Sequence, residues 1–304
     1  MKLVGDIGGT KVLLALVDGA GRLGEKRRFA SADYPRFDEL LADYLGQVCL
    51  PIEGGCLAVA GPVSDDGRTA RITNLPWRID AGALEVRWGL GPLLLINDFA
   101  GVALGVAAAP PDSLLTLQAG SPVPQALKLV IGAGTGLGMA MLQAGRVLPS
   151  EGGHIGFAPQ DEDQHRVWFA LAREHGRVTA ERVISGPGLA AIHHVLAGEW
   201  LAPELIGERA LSGEPLARHS VDVFFAAYGA FAGDMAMATL ARGGVFLAGG
   251  VTQKLLPLLT EGPFLQAFNA KAEHAGLVGG MAIRASTDPE VGLAGAVQRL
   301  RATG

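Results

Sequence analysis

Residues 2–17 read KLVGDIGGTKVLLALV, two apolar runs that flank a glycine-rich turn. Short apolar runs bounded by glycine are typical of buried strands. A second stretch, residues 128–142, reads KLVIGAGTGLGMAML and repeats the order of strand, glycine-threonine turn and strand. The pattern alone leaves open whether the two hairpins arose by duplication or are unrelated. Each hairpin is predicted to begin a separate lobe.

The size and composition of the chain indicate a globular protein of two domains. Chains of 304 residues usually divide, because single cores stop growing at this size. Apolar residues make up 49% and charged residues 18%, which supports sizeable cores and argues against disorder. The net charge of −5 gives no electrostatic attraction for nucleic acid or anionic lipid. Small-molecule chemistry is therefore the expectation.

Neither export nor membrane insertion is expected. Asp6 lies where a signal peptide would need its apolar stretch. The long apolar runs meet Asn97, Asp98 or Asp234 before they reach the ~20 residues that span a bilayer. The two cysteines, Cys49 and Cys56, have no histidine at metal-ligand spacing, so we expect two reduced, buried thiols.

Strand and helix patterns alternate along the chain, which predicts an α/β architecture. The 44 glycines cluster after several of the predicted strands, where backbone must approach something closely. The proline-rich stretch 110–124 is the predicted boundary between domains. The main predicted strands are 56–60, 93–96 and 245–248, and the predicted helices are 37–50, 99–109, 163–175, 189–197, 221–242 and 291–301.

The first glycine turn, residues 5–11, has the composition of an anion site. Glycines leave backbone N–H groups free to converge on phosphate oxygens. The sequence matches neither a P-loop nor the dinucleotide-binding pattern, which argues against both of those classes. Asp6 can hold Mg²⁺ through water, as hard oxygen ligands do. The alternative is an ordinary hairpin turn with an incidental aspartate.

Asn97 and Asp98 follow a buried strand and precede a helix. The carboxyl ends of strands are where α/β proteins expose catalytic groups. The alternative for Asp98 is a structural one, since aspartate is also a preferred helix N-cap.

Three further polar side chains suit a sugar. Glu151 and Glu181 can each accept hydrogen bonds from two adjacent hydroxyl groups, and His154 can donate or accept. Taken singly, each is more typical of a solvated surface residue.

Eight motifs occur in a fixed order along the whole chain: residues 5–10, 60–63, 73–77, 96–99, 132–138, 151–154, 181–188 and 247–251. In this order they resemble the bacterial glucokinases of the non-ROK type, within the actin/hexokinase/heat-shock ATPase superfamily. The zinc-binding cysteine cluster of ROK kinases is absent from the sequence. No helix-turn-helix precedes Gly5, which argues against the repressor branch of ROK relatives.

The resemblance implies a two-lobed actin-like ATPase fold, ribonuclease H-like, with a cleft between the lobes. It implies a small α/β domain of residues 1–108, to which the C-terminal helix 289–304 returns, and a large α/β domain of residues 109–288. Glycines and threonines of two loops would hold phosphates, and a glycine pair would lie against the adenosine: Gly8, Gly9, Thr10, Gly134, Thr135, Gly136, Gly249 and Gly250. The sugar would be held by Asn74, Asn97, Asp98, Glu151, His154 and Glu181.

The implied activity is that of an ATP-dependent glucokinase, a cytoplasmic transferase of carbohydrate metabolism and glycolysis. Asp98 would act as the base on the 6-hydroxyl of glucose, with Mg²⁺ at Asp6 through water and ATP as donor. The resemblance favours a homodimer. All of this requires residues from position 6 to position 250 to converge on one gap between lobes.

Three other functions stay open on the sequence. One is a kinase for another hexose or amino sugar, such as mannose or N-acetylmannosamine. The others are a sugar-responsive regulator without turnover and an actin-like ATPase that acts through filaments. Asp6 and Asp98 argue against a dead enzyme, and the group Glu151, His154 and Glu181 argues against a filament protein.

Overall fold

The computed structural model describes residues 1–73 and 75–302. The strands are β1 Lys2–Ile7, β2 Lys11–Val17, β3 Leu23–Ala30, β4 Gly55–Val59, β5 Thr69–Arg71, β6 Arg78–Asp80, β7 Leu93–Asn97, β8 Leu114–Gln118, β9 Lys128–Ala133, β10 Leu137–Gln143, β11 Arg146–Ser150, β12 Gly244–Ala248 and β13 Ile283–Ser286. The helices are α1 Phe37–Leu45, α2 Ala81–Trp88, α3 Asp98–Ala108, α4 Glu162–His175, α5 Ala180–Val183, α6 Gly186–Ala197, α7 Pro203–Leu211, α8 Pro215–Thr239, α9 Gly250–Lys254, α10 Leu256–Leu259, α11 Pro263–Asn269, α12 Ala275–Gly279 and α13 Val291–Arg301.

The chain forms two compact units. The first comprises residues 1–109 together with the C-terminal segment from Glu290, and the second comprises Pro110–Pro289. The first unit is built on a mixed sheet of order β3-β2-β1-β4-β7. Strand β1 pairs antiparallel with β2 and parallel with β4, and β4 pairs parallel with β7. The parallel register places Ile7, Val59 and Asn97 side by side at the carboxyl ends of their strands.

The C-terminal helix α13 packs against α3 and against the β1 and β4 strands. Leu293 and Ala296 of the helix share a core cluster with Val4 and Cys56 of the sheet. The backbones of α3 and α13 approach so closely that a Cβ atom on Gly295 would collide with a carbonyl oxygen of α3. Only glycine allows this approach, and burial of apolar side chains holds the helix in place.

The second unit repeats the pairing pattern of the first. Its sheet has the order β11-β10-β9-β12-β13-β8. Strand β9 pairs antiparallel with β10 and parallel with β12, as β1 does with β2 and β4. The turns after β1 and after β9, residues 8–10 and 134–136, therefore occupy equivalent positions in two similar sheets.

Helix α8 runs through the core of the second unit. It is 25 residues long, and its length and apolar composition would allow it to cross a membrane. However, 67% of its most apolar window is buried inside the protein, where it packs against α6, α7 and α11. Its charged residue Asp234 pairs with Lys271 at 2.8 Å. These contacts are those of a core helix.

Two predicted helix boundaries were wrong by five or more residues, and one burial assignment was wrong. Helix α1 ends at Leu45 and not near 50, and α8 begins at Pro215, six residues before the predicted start. Proline suits the first turn of a helix, and Glu214 caps it by accepting from the N–H groups of Leu216 and Ala217. Cys49 lies in the segment after α1 and is exposed, whereas Cys56 is buried as expected.

Candidate functional site

Two hydrogen bonds at Gly8 hold the first glycine turn, residues 8–10. The Gly8 N–H donates to the Lys11 carbonyl oxygen at 2.9 Å, and the buried Ser31 hydroxyl donates to the Gly8 carbonyl oxygen at 2.8 Å. A Cβ atom at Gly8 would stand 3.0 Å from the Lys11 oxygen, so the turn is tight. Thr10 is exposed at its tip. Hydrogen bonds therefore hold the backbone of the turn at Gly8, while Thr10 is accessible to a ligand.

Asp6 precedes this turn and lies against the first turn of α13. A Cβ atom on Gly292 would stand 2.9 Å from Asp6 Oδ2. Burial raises the pKa of the Asp6 carboxyl, and the Lys11 ammonium opposes this in part. Charged carboxylates in such surroundings gain from a cation or from donor groups.

Asp6 fits a magnesium ion that arrives with a nucleotide. Within residues 1–73 and 75–302, no group of three or more His, Cys, Asp or Glu could hold a metal ion. Mg²⁺ commonly uses one or two protein carboxylates, keeps several waters and takes its other ligands from phosphate oxygens. A carboxylate beside a glycine turn has the donor chemistry for that mode of binding.

Asn97, and not Asp98, is the N-cap of α3. The Asn97 Oδ1 atom accepts from the N–H groups of Phe99 at 2.9 Å and Ala100 at 3.2 Å. Its Nδ2 donates to the Gly61 carbonyl oxygen at 3.3 Å. The capping alternative for Asp98 was therefore wrong, and sequence reasoning missed this role for Asn97. Only Asp98 was considered as the cap, although asparagine is as strongly preferred at that position.

Asp98 is the first residue of α3. In the sheet of the first unit it follows the carboxyl end of β7, and Asp6 lies near the carboxyl end of β1. Its Oδ1 accepts from the Phe99 N–H at 2.9 Å. The positive end of a helix dipole favours a carboxylate in this position.

Glu151, His154 and Glu181 come together in the second unit. The His154 Nε2 atom lies 3.8 Å from Glu151 Oε2, and its Nδ1 atom lies 3.8 Å from Glu181 Oε1. These separations are too long for hydrogen bonds, so the facing polar atoms keep capacity for a ligand. The His154 side chain is 58% exposed and that of Glu181 is 34% exposed. A ligand with several hydroxyl groups matches this set.

Glu181 also contacts the second glycine turn. Its Oε2 atom accepts from the Leu137 backbone N–H at 2.9 Å. A Cβ atom at Gly136 would stand 2.5 Å from the same oxygen. One carboxylate therefore belongs both to the polar cluster and to the turn. Sequence reasoning missed Leu137 because the contact uses its backbone.

The second glycine turn borders a cavity of about 520 Å³. The Gly134 N–H donates to the Gly136 oxygen, and the Gly186 N–H donates to the Gly134 oxygen, both at 2.8 Å. Gly134, Thr135 and Gly250 line the cavity. Gly249 has a φ of +93°, and a Cβ atom there would collide with the Ala133 carbonyl oxygen.

One face of α7 forms another wall of this cavity, through Glu204, Gly207, Glu208 and Leu211. This face lies beside the glycine turn, because Gly186 packs on Pro203 at the start of α7. About 12 Å of helix runs from Pro203 to Leu211, at a rise of about 1.5 Å per residue. Sequence reasoning missed these residues because the signal is an ordinary helical pattern.

A second cavity of about 440 Å³ lies in the same unit. His154 and Glu181 line it together with Thr135, Arg182 and Trp200. It therefore borders both the polar cluster and the second glycine turn. The predicted sugar contact Asn74 lies outside the described residues.

The chain matches one family over nearly its whole length. The family described as Glucokinase matches residues 3–303. A glucokinase of Stenotrophomonas maltophilia is 38% identical, over 97% of this chain and 93% of the relative. Both lengths are covered almost completely, so the similarity concerns the full set of motifs.

Solved structures of sugar kinases have the same fold. A glucokinase from an Antarctic psychrotroph is 30% identical, with a TM-score of 0.83 over 99% of this chain and 98% of that chain. A ROK family glucokinase from Streptomyces griseus, solved in complex with glucose and AMPPNP, is 22% identical. Its TM-score is 0.66, over 100% of this chain and 99% of that chain.

Proposed function

Because this chain belongs to the glucokinase family, we propose that it transfers the γ-phosphate of ATP to the 6-hydroxyl of glucose. One observation carries the proposal. The polar cluster of Glu151, His154 and Glu181 lies directly beside the second glycine turn, through the hydrogen bond from Leu137 to Glu181. A polyhydroxyl ligand and a phosphate chain would thus be neighbours.

The nucleotide would occupy the cavity of about 520 Å³. The Gly134 and Gly8 N–H groups close their own turns, so the N–H groups of Thr135 and Gly136 would meet phosphate oxygens, and those of Gly9 and Thr10 would do the same from the first unit. The adenosine would lie past Gly249 and Gly250, along the α7 face. The apolar side chains Leu211 and Val251 suit a purine ring there.

Sugar hydroxyl groups would donate to the carboxylates of Glu151 and Glu181 and pair with His154. Analogues that lack these hydroxyl groups would leave the carboxylates and His154 without partners and would be disfavoured. Asn97 has already committed its Oδ1 atom to the α3 cap. Its part in sugar binding would fall to the remaining N–H of its amide.

Asp98 would accept the proton of the 6-hydroxyl as that oxygen attacks the γ-phosphorus in line and ADP leaves. Phosphoryl transfer needs little covalent help, so positioning and charge neutralisation carry most of the barrier reduction. A magnesium ion held through water by Asp6 would supply charge neutralisation at the phosphates.

The remaining assignments rest on the family resemblance and on topology. In both sheets three antiparallel strands are followed by two parallel ones, and the second sheet adds the antiparallel strand β8. This shared order supports a ribonuclease H-like, actin-like fold. The proposal requires the two units to bring Asp98 and Glu181 to one sugar in a cleft. Membership of this metabolic family supports a cytoplasmic enzyme of glycolysis, and we expect a homodimer.

The test is ATP-dependent formation of glucose 6-phosphate by the purified protein. Glucose, mannose and N-acetylmannosamine are compared in a coupled ADP assay, with Asp98→Asn as the matched inactive control. We expect glucose to give the highest kcat/KM. A higher value for mannose or N-acetylmannosamine would assign a different hexose kinase, and no turnover of any sugar would overturn the proposal.

A further inference from the structure

Glu181 stands at the junction of two binding regions. Its Oε2 accepts from the Leu137 N–H at 2.9 Å, and its Oε1 faces His154 Nδ1 at 3.8 Å. The first contact belongs to the end of the glycine turn, and the second belongs to the polar cluster. The two oxygens of one carboxylate cannot move independently.

The turn is shaped to receive this carboxylate. A side chain at position 136 would displace this carboxylate, because a Cβ atom there would stand 2.5 Å from Glu181 Oε2. The turn is otherwise closed by the bond from Gly134 to Gly136 and is held to α6 through Gly186. The Leu137 N–H is bonded to Glu181 and thus fixes the start of β10 to α5.

The second oxygen of the Glu181 carboxylate, Oε1, is accessible to a ligand. The side chain is 34% exposed and lies on a helix of only four residues. A sugar hydroxyl that donates to Oε1 would restrict the carboxylate, and a restricted carboxylate would restrict the turn. Charge-assisted hydrogen bonds of this kind are stronger than neutral ones.

We propose that Glu181 is a positioning residue that couples sugar binding to nucleotide binding through its hydrogen bond to the Leu137 backbone. This inference rests on the proposed function and adds a route for coupling within the second unit. By linkage, the sugar and the nucleotide must then raise each other's affinity by the same factor. Such coupling orders the turn at the moment that a sugar is present to receive the phosphate.

The experiment measures the Kd of ADP by calorimetry, with and without saturating glucose, in the full-length protein. In the wild type we expect glucose to tighten ADP binding by about five- to tenfold, a modest coupling for two sites. Glu181→Ala removes the carboxylate and should abolish this effect. Glu181→Gln should retain much of it, because the amide oxygen can still accept from Leu137.

Gly136→Ala tests the same contact while residue 181 remains glutamate. The new methyl group should push the carboxylate off the turn, so glucose should no longer tighten ADP binding. In a Glu181→Ala background the same substitution should change the ADP Kd by less than about twofold, because interacting sites are non-additive. Gly156→Ala is the control, since nothing lies within 4 Å of a Cβ atom there.

Hydrogen exchange of the 134–138 backbone gives a readout independent of turnover. Glu181→Ala should speed exchange at the Leu137 amide, and Glu181→Gln should restore protection. If Gly136→Ala does not fold, the Glu181→Ala and Glu181→Gln pair still decides the outcome. Unchanged coupling in either Gly136→Ala or Glu181→Ala would overturn this inference and would not bear on the proposed function. Failure of the wild type to phosphorylate glucose would instead overturn the proposed function.

Discussion

The Asp6 carboxylate lies against Gly292, so that a Cβ atom at residue 292 would stand 2.9 Å from Asp6 Oδ2. The two residues come from opposite ends of the chain. They meet because α13 packs on the sheet that contains β1. The start of the C-terminal helix therefore forms part of the surroundings of the predicted magnesium residue.

Gly292→Ala should lower activity without unfolding the protein. The nearest atom is the far end of the Asp6 side chain, which can rotate away, while alanine favours the helix by roughly 0.5–1 kcal/mol. We expect a higher magnesium concentration for half-maximal rate, measured by titration of Mg²⁺ in the kinase assay. Gly82→Ala in α2 is the control, because its nearest neighbour would lie at 3.4 Å. An unchanged magnesium requirement would count against the role of Asp6.

The ionised Asp6 should cost stability at neutral pH. Burial raises its pKa from the ordinary value of 3.8. Between that value and the raised one, the folded protein binds more protons than the unfolded chain, so the free energy of unfolding falls as pH rises. Asp6→Asn should therefore unfold at higher urea concentration than the wild type at pH 7. The gain should shrink on acidification through the raised pKa. An equal or lower midpoint for Asp6→Asn at pH 7 would contradict this.

Replacing Asp98 should affect turnover far more than folding. Asp98→Asn should cut kcat by about 10²–10⁴, the usual contribution of a general base. Its urea midpoint should stay close to that of the wild type, because Asn97 supplies the α3 cap. Asn97→Ala should instead lose about 1 kcal/mol of stability. A near-normal kcat in Asp98→Asn would remove it as the base.

The adjacent glycines Gly249 and Gly250 should respond differently to alanine. Gly249 has a φ of +93° and its Cβ atom would meet the Ala133 oxygen, whereas nothing lies within 4 Å of a Cβ atom at Gly250. Gly249→Ala should lose about 1–3 kcal/mol of stability through strain. Gly250→Ala should fold normally and weaken only ADP binding. Thermal unfolding and ADP calorimetry of both variants provide the measurement, and equal stability would contradict the geometry.

The two cysteines should differ in reactivity. Cys49 is exposed, while burial raises the pKa of the Cys56 thiol to about 12. A thiol reagent at pH 8 should label one cysteine in the native protein and two after unfolding, counted by mass spectrometry. Rapid native labelling of Cys56 would show that the sheet opens under α13.

Local pattern was sufficient for much of the fold. The final helix was predicted at 291–301 and is found there, because helical spacing of apolar residues is a local property. The end of α1 was missed, since residues 46–50 keep an apolar pattern without forming helix. Residues Glu151, His154 and Glu181 were predicted as one group, and the structure brings them together. The walls provided by α7 could not be foreseen, because any amphipathic helix would have the same sequence signal.

The sequence by itself determined the two glycine turns, the α/β alternation and the family, since these depend on residue type and on spacing along the chain. Tertiary structure alone decided which atoms meet. The carboxylate of Glu181 reaches a backbone N–H 44 residues away, and Asp6 meets Gly292 from the far end of the chain. Such contacts depend on how sheets and helices pack. Residue type does not identify the partner of a backbone N–H, nor the atom that lies against a glycine.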